Sequence, residues 1–274
     1  MTAVEASRPD VRGRDRSPLS ELWAARWLLL LWVKRDFTVQ YRQSVLGPLW
    51  AFAQPVSLLI VYGLVFRNVL GVKAPHGSYL VFALCGLVPW TFLASTVNRS
   101  LVALAAASPI IRQVYFPRAV VPLAGTGVTV IDLALGTTVL LIVQVVANGE
   151  LHLATLSLVL IYLDYILVLG AVGVIASLLG ALVRDVRFVV PLLLQAGFIA
   201  TPVMYPRSLV PSRFGWVYDL NPVSRVIEAV RGAVIDGRWP SLGLLAALTV
   251  LGVVLLVLAT WYASAVEDRL PDLL

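Results

Sequence analysis

Two aspartates, Asp132 and Asp164, each sit near the middle of a long apolar run that holds no Lys or Arg to neutralise them. An ionisable group at membrane depth is costly and marks proton relays and ion paths. These two are therefore the candidate acids for a proton-coupled carrier. The other reading is a neutral carboxyl held by a neighbouring Thr, Tyr or carbonyl. Two further groups have spacing that suits chemistry. Lys34, Arg35, Tyr41, Arg42 and Gln43 crowd into one short stretch just ahead of an apolar run, and arginine offers a planar fork to phosphate oxygens. Asn221 and Pro222 form a helix start, since Asn caps and Pro is tolerated at the first position. Behind them Arg225, Glu228 and Arg231 recur at i, i+3 steps, a spacing that lets charges pair on one face. Val223, Val226, Ile227, Val230 and Val234 make the opposite, apolar face. Such arginines suit a lipid phosphate, an anionic substrate or plain solvent.

The residues do not assemble into a catalytic set. There is no G-x-x-x-x-G-K-[ST] loop, no His-Glu-x-x-His and no Gly-x-Ser-x-Gly. The two histidines, His76 and His152, fall at the ends of apolar runs, away from a carboxylate or cysteine cluster. A single cysteine, Cys85, rules out an intrachain disulfide and a multi-cysteine metal site. The expectation is no enzyme, no metal and no cofactor in this chain. The formal charge of +6 is carried by residues that flank apolar runs, so nucleic acid is not the expected partner.

The elements that position these residues are set by solvent. The chain is 59% hydrophobic and 13% charged, against about 25% charged in ordinary soluble domains. Six apolar stretches dominate it, roughly Gly47–Phe66, Tyr79–Val97, Val120–Ala147, Leu153–Val183, Phe188–Tyr205 and Leu242–Ala263. About 20 apolar residues cross a hydrocarbon core, and a helix satisfies its backbone polar groups within itself. The expected fold is an all-α membrane protein of six transmembrane helices, the third and fourth long enough to tilt or project. About two-thirds of the 21 Lys and Arg fall on the side of the amino terminus, which places both termini in the cytoplasm. Residues 1–18 are polar, with alternating Arg and Asp, and read as a disordered tail. Glu21–Val33 is apolar, with Trp23, Trp27, Leu30 and Leu31 on one helical face. It lacks the small-residue cleavage site of a signal peptide and is too short to span, so an amphipathic helix in the membrane interface is expected. The Asn221–Gly237 helix is also too short to cross. It is expected as a re-entrant element on the outer side.

Four runs, in order, resemble one family. They are Arg35-Asp36-Phe37-Thr38-Val39-Gln40-Tyr41-Arg42-Gln43-Ser44-Val45-Leu46-Gly47-Pro48-Leu49-Trp50 with Gln54-Pro55; Gly86-Leu87-Val88-Pro89-Trp90-Thr91-Phe92; Val114-Tyr115-Phe116-Pro117-Arg118 with Pro122-Leu123; and Leu220-Asn221-Pro222 with Ile227-Glu228-Ala229-Val230-Arg231. The chain, over about residues 20–265, resembles the ABC-2 type permeases that export O-antigen, capsule, teichoic acid and related glycans. The family commonly has Gly-Phe-Arg or similar where this chain has Ala229-Val230-Arg231, and that departure bears on which glycan is carried.

The resemblance implies a half-transporter. Two copies of the chain would pair with two copies of a separate ABC ATPase, which binds ATP and Mg and would account for the missing phosphate loop. It implies residues 1–18 as a cytoplasmic tail, 19–46 as interfacial helix and gate segment, 47–265 as a six-helix transmembrane domain and 266–274 as a second tail. Lys34, Arg35, Tyr41, Arg42 and Gln43 would gate entry of a lipid-linked glycan, a polyprenyl-diphosphate polymer moved outward across a bacterial cytoplasmic membrane. Ile111, Arg112, Tyr115, Phe116, Pro117 and Arg118 would lie in the loop Ser108–Arg118, whose coupling helix docks on the ATPase. Asn221, Pro222, Arg225, Glu228 and Arg231 would belong to a periplasmic gate. Trp50, Phe52, Gln54, Tyr62, Trp90 and Phe92 are candidate lining for a glycan channel, because sugar C–H faces rest on rings; helix packing or a lipid-facing belt is the alternative for each. Rival functions are a drug or lipid exporter of the same family and the proton-coupled carrier built on Asp132 and Asp164. Cell-wall galactan, O-antigen and teichoic acid are not distinguished.

Overall fold

A computed structural model describes residues 18–42, 56–57, 60–61, 64–65, 77–111, 113–114 and 116–266. All regular structure in them is helical. The first described residues form two helices, α1 (Pro18–Ala24) and α2 (Arg26–Tyr41), separated at Ala25. Then come α3 (Tyr79–Ile111), α4 (Val120–Asn148), α5 (Leu158–Leu182, entered through a 3-10 turn at Leu153–Ser157) and α6 (Val186–Ala200). A short α7 (Gly215–Leu220) and α8 (Pro222–Val234) precede the last helix, α9 (Leu242–Val266).

Among the described residues, four segments are long and apolar enough to cross a membrane: α3, α4, the 3-10 turn with α5, and α9. Most of the first of the six predicted stretches lies outside the described residues. The fifth departs from expectation. The apolar run continues to Tyr205, but α6 stops at Ala200 after 15 residues, a length of about 22 Å. The cause is local: Pro202 disfavours helical backbone in the residue before it, and Thr201 is extended at φ −90°, ψ 141°. The second stretch departs the other way. Its helix passes Val97 and runs on to Ile111, because Leu101–Ala107 is rich in Leu and Ala, strong helix formers.

The bundle is organised around α3, which packs on α4, α5, α6 and α8, while α5 lies between α3 and α9. From Val81 to Trp90 every residue of α3 is buried. Close approach is set by small residues, as in lipid-embedded bundles. A Cβ on Gly180 of α5 would stand 2.1 Å from the Leu101 carbonyl oxygen of α3. Thr96 and Thr129 share a 2.8 Å hydroxyl hydrogen bond between α3 and α4. Two large apolar clusters result. One joins α3, α5 and α8 around Phe82, Ile161, Val203 and Ile227. The other joins α2 to α4 and α5 around Trp32, Phe116, Val120 and Leu178.

Candidate functional site

A cavity of about 950 Å³ opens beside α8, between the segment Pro206–Ser208 and the start of α9. Its helix starts as the sequence predicts: the Asn221 side chain accepts from the Val223 amide at 3.0 Å, with Pro222 at the first position. That cap satisfies a helix-end amide lacking an intrahelical acceptor. Gly237, just beyond the helix, has φ +64°, which suits a residue without Cβ.

Charged side chains ring the cavity. Asp219 accepts from Arg207 Nη2 at 2.6 Å and lies 3.2 Å from Arg225 Nη2. Glu228 lies 3.6 Å from Arg207 Nη1 and 4.0 Å from Arg225 Nη1. Two cations and two anions thus alternate, which limits the field each presents to a ligand. The hydrogen bond to Asp219 holds the Arg207 guanidinium above its ordinary pKa. Asp236 and Arg238 form a further pair at the rim.

Arg231 departs from the pattern read in the sequence. It was expected on the polar face with Arg225 and Glu228. It is instead 9% exposed, with its guanidinium carbon 3.7 Å from the centroid of the Phe82 ring and Nη2 donating to the Val203 carbonyl at 2.6 Å. Geometry explains the difference: six residues make about 1.7 turns, so Arg231 sits about 120° around the helix from Arg225. Burial draws its pKa down to about 10, which leaves it charged at neutral pH.

The partner of Arg231 is irregular backbone. Residues 201–204 are buried yet outside any helix. Non-helical backbone at such depth must find its hydrogen bonds within protein. Here the Val203 carbonyl accepts from Arg231 and the Met204 carbonyl from the Tyr79 hydroxyl at 3.0 Å. Asn221 Nδ2 donates to Thr201 Oγ1 at 3.2 Å. Gly86 makes room: a Cβ there would stand 2.2 Å from the Val203 oxygen.

At the other cluster, α2 runs as one helix into the predicted gate segment as far as Tyr41 and carries Lys34 and Arg35 on exposed positions. Arg42, just after it, is exposed too. Arg35 pairs with Asp36 at 2.8 Å, and its guanidinium carbon stacks 4.0 Å from the Trp32 ring centroid. Arg99 of α3 donates to Gln40 at 2.6 Å. Trp23, Trp27, Leu30 and Leu31 are exposed together. On the other face Trp32 meets Phe116 with ring centroids 5.6 Å apart.

Phe116 belongs to the predicted coupling loop. Ser108–Ile111 is the last turn of α3, not part of a separate helix, and the described residues between Ile111 and Val120 are turns, a bend and irregular backbone at Phe116 and Pro117. Arg118 closes the loop by donating to the Ile111 carbonyl at 3.3 Å and lies over the Phe116 ring. Pro117 accepts from the Val120 amide at 3.0 Å.

The aromatic lining divides. Trp90 and Phe92 are core side chains, edge-on to Phe198 and Tyr165 respectively, so packing accounts for both. Gln43, Trp50, Phe52, Gln54, Tyr62, Arg112 and Tyr115 lie outside the described residues, and so does the side chain of Tyr41. Asp164 accepts from Thr249 of α9 at 2.7 Å. Asp132 is half-buried on α4. Arg207, Asp219 and Arg238 stand outside the predicted gate residues, although the sequence puts five arginines with Asp219, Glu228 and Asp236 between Pro206 and Pro240. Their clustering in one loop was a signal, but Arg207 and Asp219 meet α8 by tertiary folding and not by helical spacing.

Comparison with known proteins returns the ABC-2 type transporter profile over residues 28–235. An O-antigen export system permease protein of Myxococcus xanthus is 30% identical over 254 residues, 90% of this chain and 94% of that protein. One of Klebsiella pneumoniae is 29% identical over 211 residues, 77% of this chain and 81% of its own length. A polysialic acid transport protein of Escherichia coli is 30% identical over 213 residues, covering 74% and 79%.

Proposed function

We propose, from the fact that this chain belongs to the ABC-2 type transporter family, that it is the membrane subunit of an ATP-driven exporter of lipid-linked polysaccharide. The observation that carries this reading is near end-to-end similarity to a protein named as an O-antigen export permease. A bundle with four membrane-length helices, the α2 helix docked on α4, and buried irregular backbone after α6 agree with a transport protein. In this reading the protein is a multi-pass component of a bacterial inner membrane, with both termini cytoplasmic and six spans in total. Two copies work with two copies of a separate ABC ATPase, which supplies the nucleotide site.

Within that frame α2 and the segment to Gln43 form the entrance, with Lys34, Arg35 and Arg42 meeting the diphosphate of the carrier. The loop from Ile111 to Arg118 receives the ATPase, and the Asn221–Arg231 helix closes the outer side. The channel lining falls to Trp50, Phe52, Gln54 and Tyr62. Asp164, bonded to Thr249, serves helix packing in this reading and not proton transfer.

The test is co-purification of the full chain with the ABC ATPase of its host, followed by ATP hydrolysis. A stable complex is expected, with assembly or coupling lost in an Arg112→Ala, Tyr115→Ala double variant and lipid-linked glycan accumulating in cells lacking the permease. No associated ATPase, or a variant indistinguishable from wild type, would overturn the docking-loop assignment.

A further inference from the structure

The cavity beside α8 has two unlike walls. One is charged, and three of its arginines already have carboxylate partners: Arg207 and Arg225 with Asp219 and Glu228, and Arg238 with Asp236. The fourth, Arg231, has no carboxylate within 4.0 Å among the described residues, and its Nε has no hydrogen-bond partner. It is nine-tenths buried and lines the cavity. A buried charge is costly unless it is closely paired, and Glu228, one turn earlier, acts on Arg231 only from beyond ion-pair distance. The cation–π contact with Phe82 and the Val203 carbonyl offset part of that cost, but neither supplies a counter-ion.

The other wall is α9. Leu244, Ala247, Leu248 and Leu251 recur at helical spacing and line the same cavity. They form an apolar strip leading from the charged ring into a membrane-length helix. A small soluble anion has no use for such a strip. A neutral lipid has no use for a buried guanidinium. The ligand chemistry that matches both walls is an anionic phosphate ester carrying a hydrocarbon chain, and about 950 Å³ is enough for the head and the first part of the chain.

We propose that this cavity is a binding site for a phosphate-bearing lipid, with a phosphate oxygen on Arg231 and the chain against Leu244, Leu248 and Leu251. The site does not depend on the export reading or on which side of the membrane this end faces.

Full-length protein in a neutral maltoside detergent is titrated with dioctanoyl phosphatidic acid, and bound lipid is counted by native mass spectrometry. One phosphatidic acid per chain is expected, with dioctanoylglycerol, which has the same chains and no phosphate, failing to compete. Arg231→Gln is expected to weaken binding about tenfold or more. Because Arg231 also holds Val203, a second variant fills the cavity without touching that contact. Gly232 lines the cavity, and a Cβ there meets nothing nearer than 3.9 Å, so Gly232→Leu is expected to fold, elute as wild type and lose binding to a similar degree. Arg238→Gln, at the rim, is expected to change affinity less than about threefold. Farnesyl diphosphate identifies the source. Competition stronger than that of phosphatidic acid points to a polyprenyl carrier, and equal competition to bulk phospholipid; both support the site. Equal binding of dioctanoylglycerol, displacement by inorganic phosphate at matching concentration, or undiminished binding in a folded Gly232→Leu protein would each overturn it.

Discussion

A guanidinium stacked on a ring uses its flat face and keeps its N–H edge for acceptors, which is how Arg231 serves Phe82 and Val203 together. Lysine has the charge but not the plane or the fork. Arg231→Lys is therefore expected to cost about 1–3 kcal/mol, read as a lower thermal midpoint of the detergent-solubilised protein; an unchanged midpoint counts against the anchoring role. Gly86 is the steric counterpart. The atom that a new Cβ would strike is backbone oxygen, which cannot swing aside. Gly86→Ala is expected to destabilise by about 1–3 kcal/mol through overpacking, and more for Gly86→Val. For the acids the expectation is the reverse. Asn keeps an oxygen that accepts from Thr249, so Asp132→Asn with Asp164→Asn is expected to leave export intact when surface glycan is measured. Complete loss of export in the doubly substituted chain would return the proton-coupled carrier to first place.

Helices show where local signals sufficed and where they did not. The α8 start was legible because Asn221 and Pro222 act within their own turn. The end of α6 was legible in principle, since Pro202 forbids what the hydropathy of Val203 and Met204 suggests. Apolar residues continue past the proline to Tyr205, so hydropathy by itself extends the helix five residues beyond its end. Burial of 201–204 against α3 could not be read at all, because it depends on a glycine more than a hundred residues away in sequence. The inward turn of Arg231 was available from helical angles, but charge spacing suggested a shared face. Trp23 at the end of α1 and Trp27, Leu30 and Leu31 on α2 are exposed together, as their spacing required. The opposite contact of Trp32 with Phe116 is tertiary and has no sequence signal. It links α2 to the loop after α3. A double-mutant cycle on Trp32→Ala and Phe116→Ala, scored by thermal stability, is expected to give a coupling of about 0.5–1.5 kcal/mol. Strict additivity would mean that the rings are neighbours without being partners.

Across the whole molecule, composition alone identified the solvent, and family resemblance identified the kind of transporter. Neither located the charged cavity. The α6 helix adds a mechanical consequence. It has no fully buried residue, and it ends after 15 residues in backbone anchored to α3 and α8. A face about 22 Å tall, set in a hydrocarbon layer about 30 Å thick, draws the surrounding leaflets together. The protein would then carry its own patch of thinned bilayer, and the lipids there would be strained before any substrate arrives. Reconstitution in phosphatidylcholines of graded acyl length tests this: export or ATPase coupling is expected to favour shorter chains, and indifference to chain length would mean that α6 is shielded by protein.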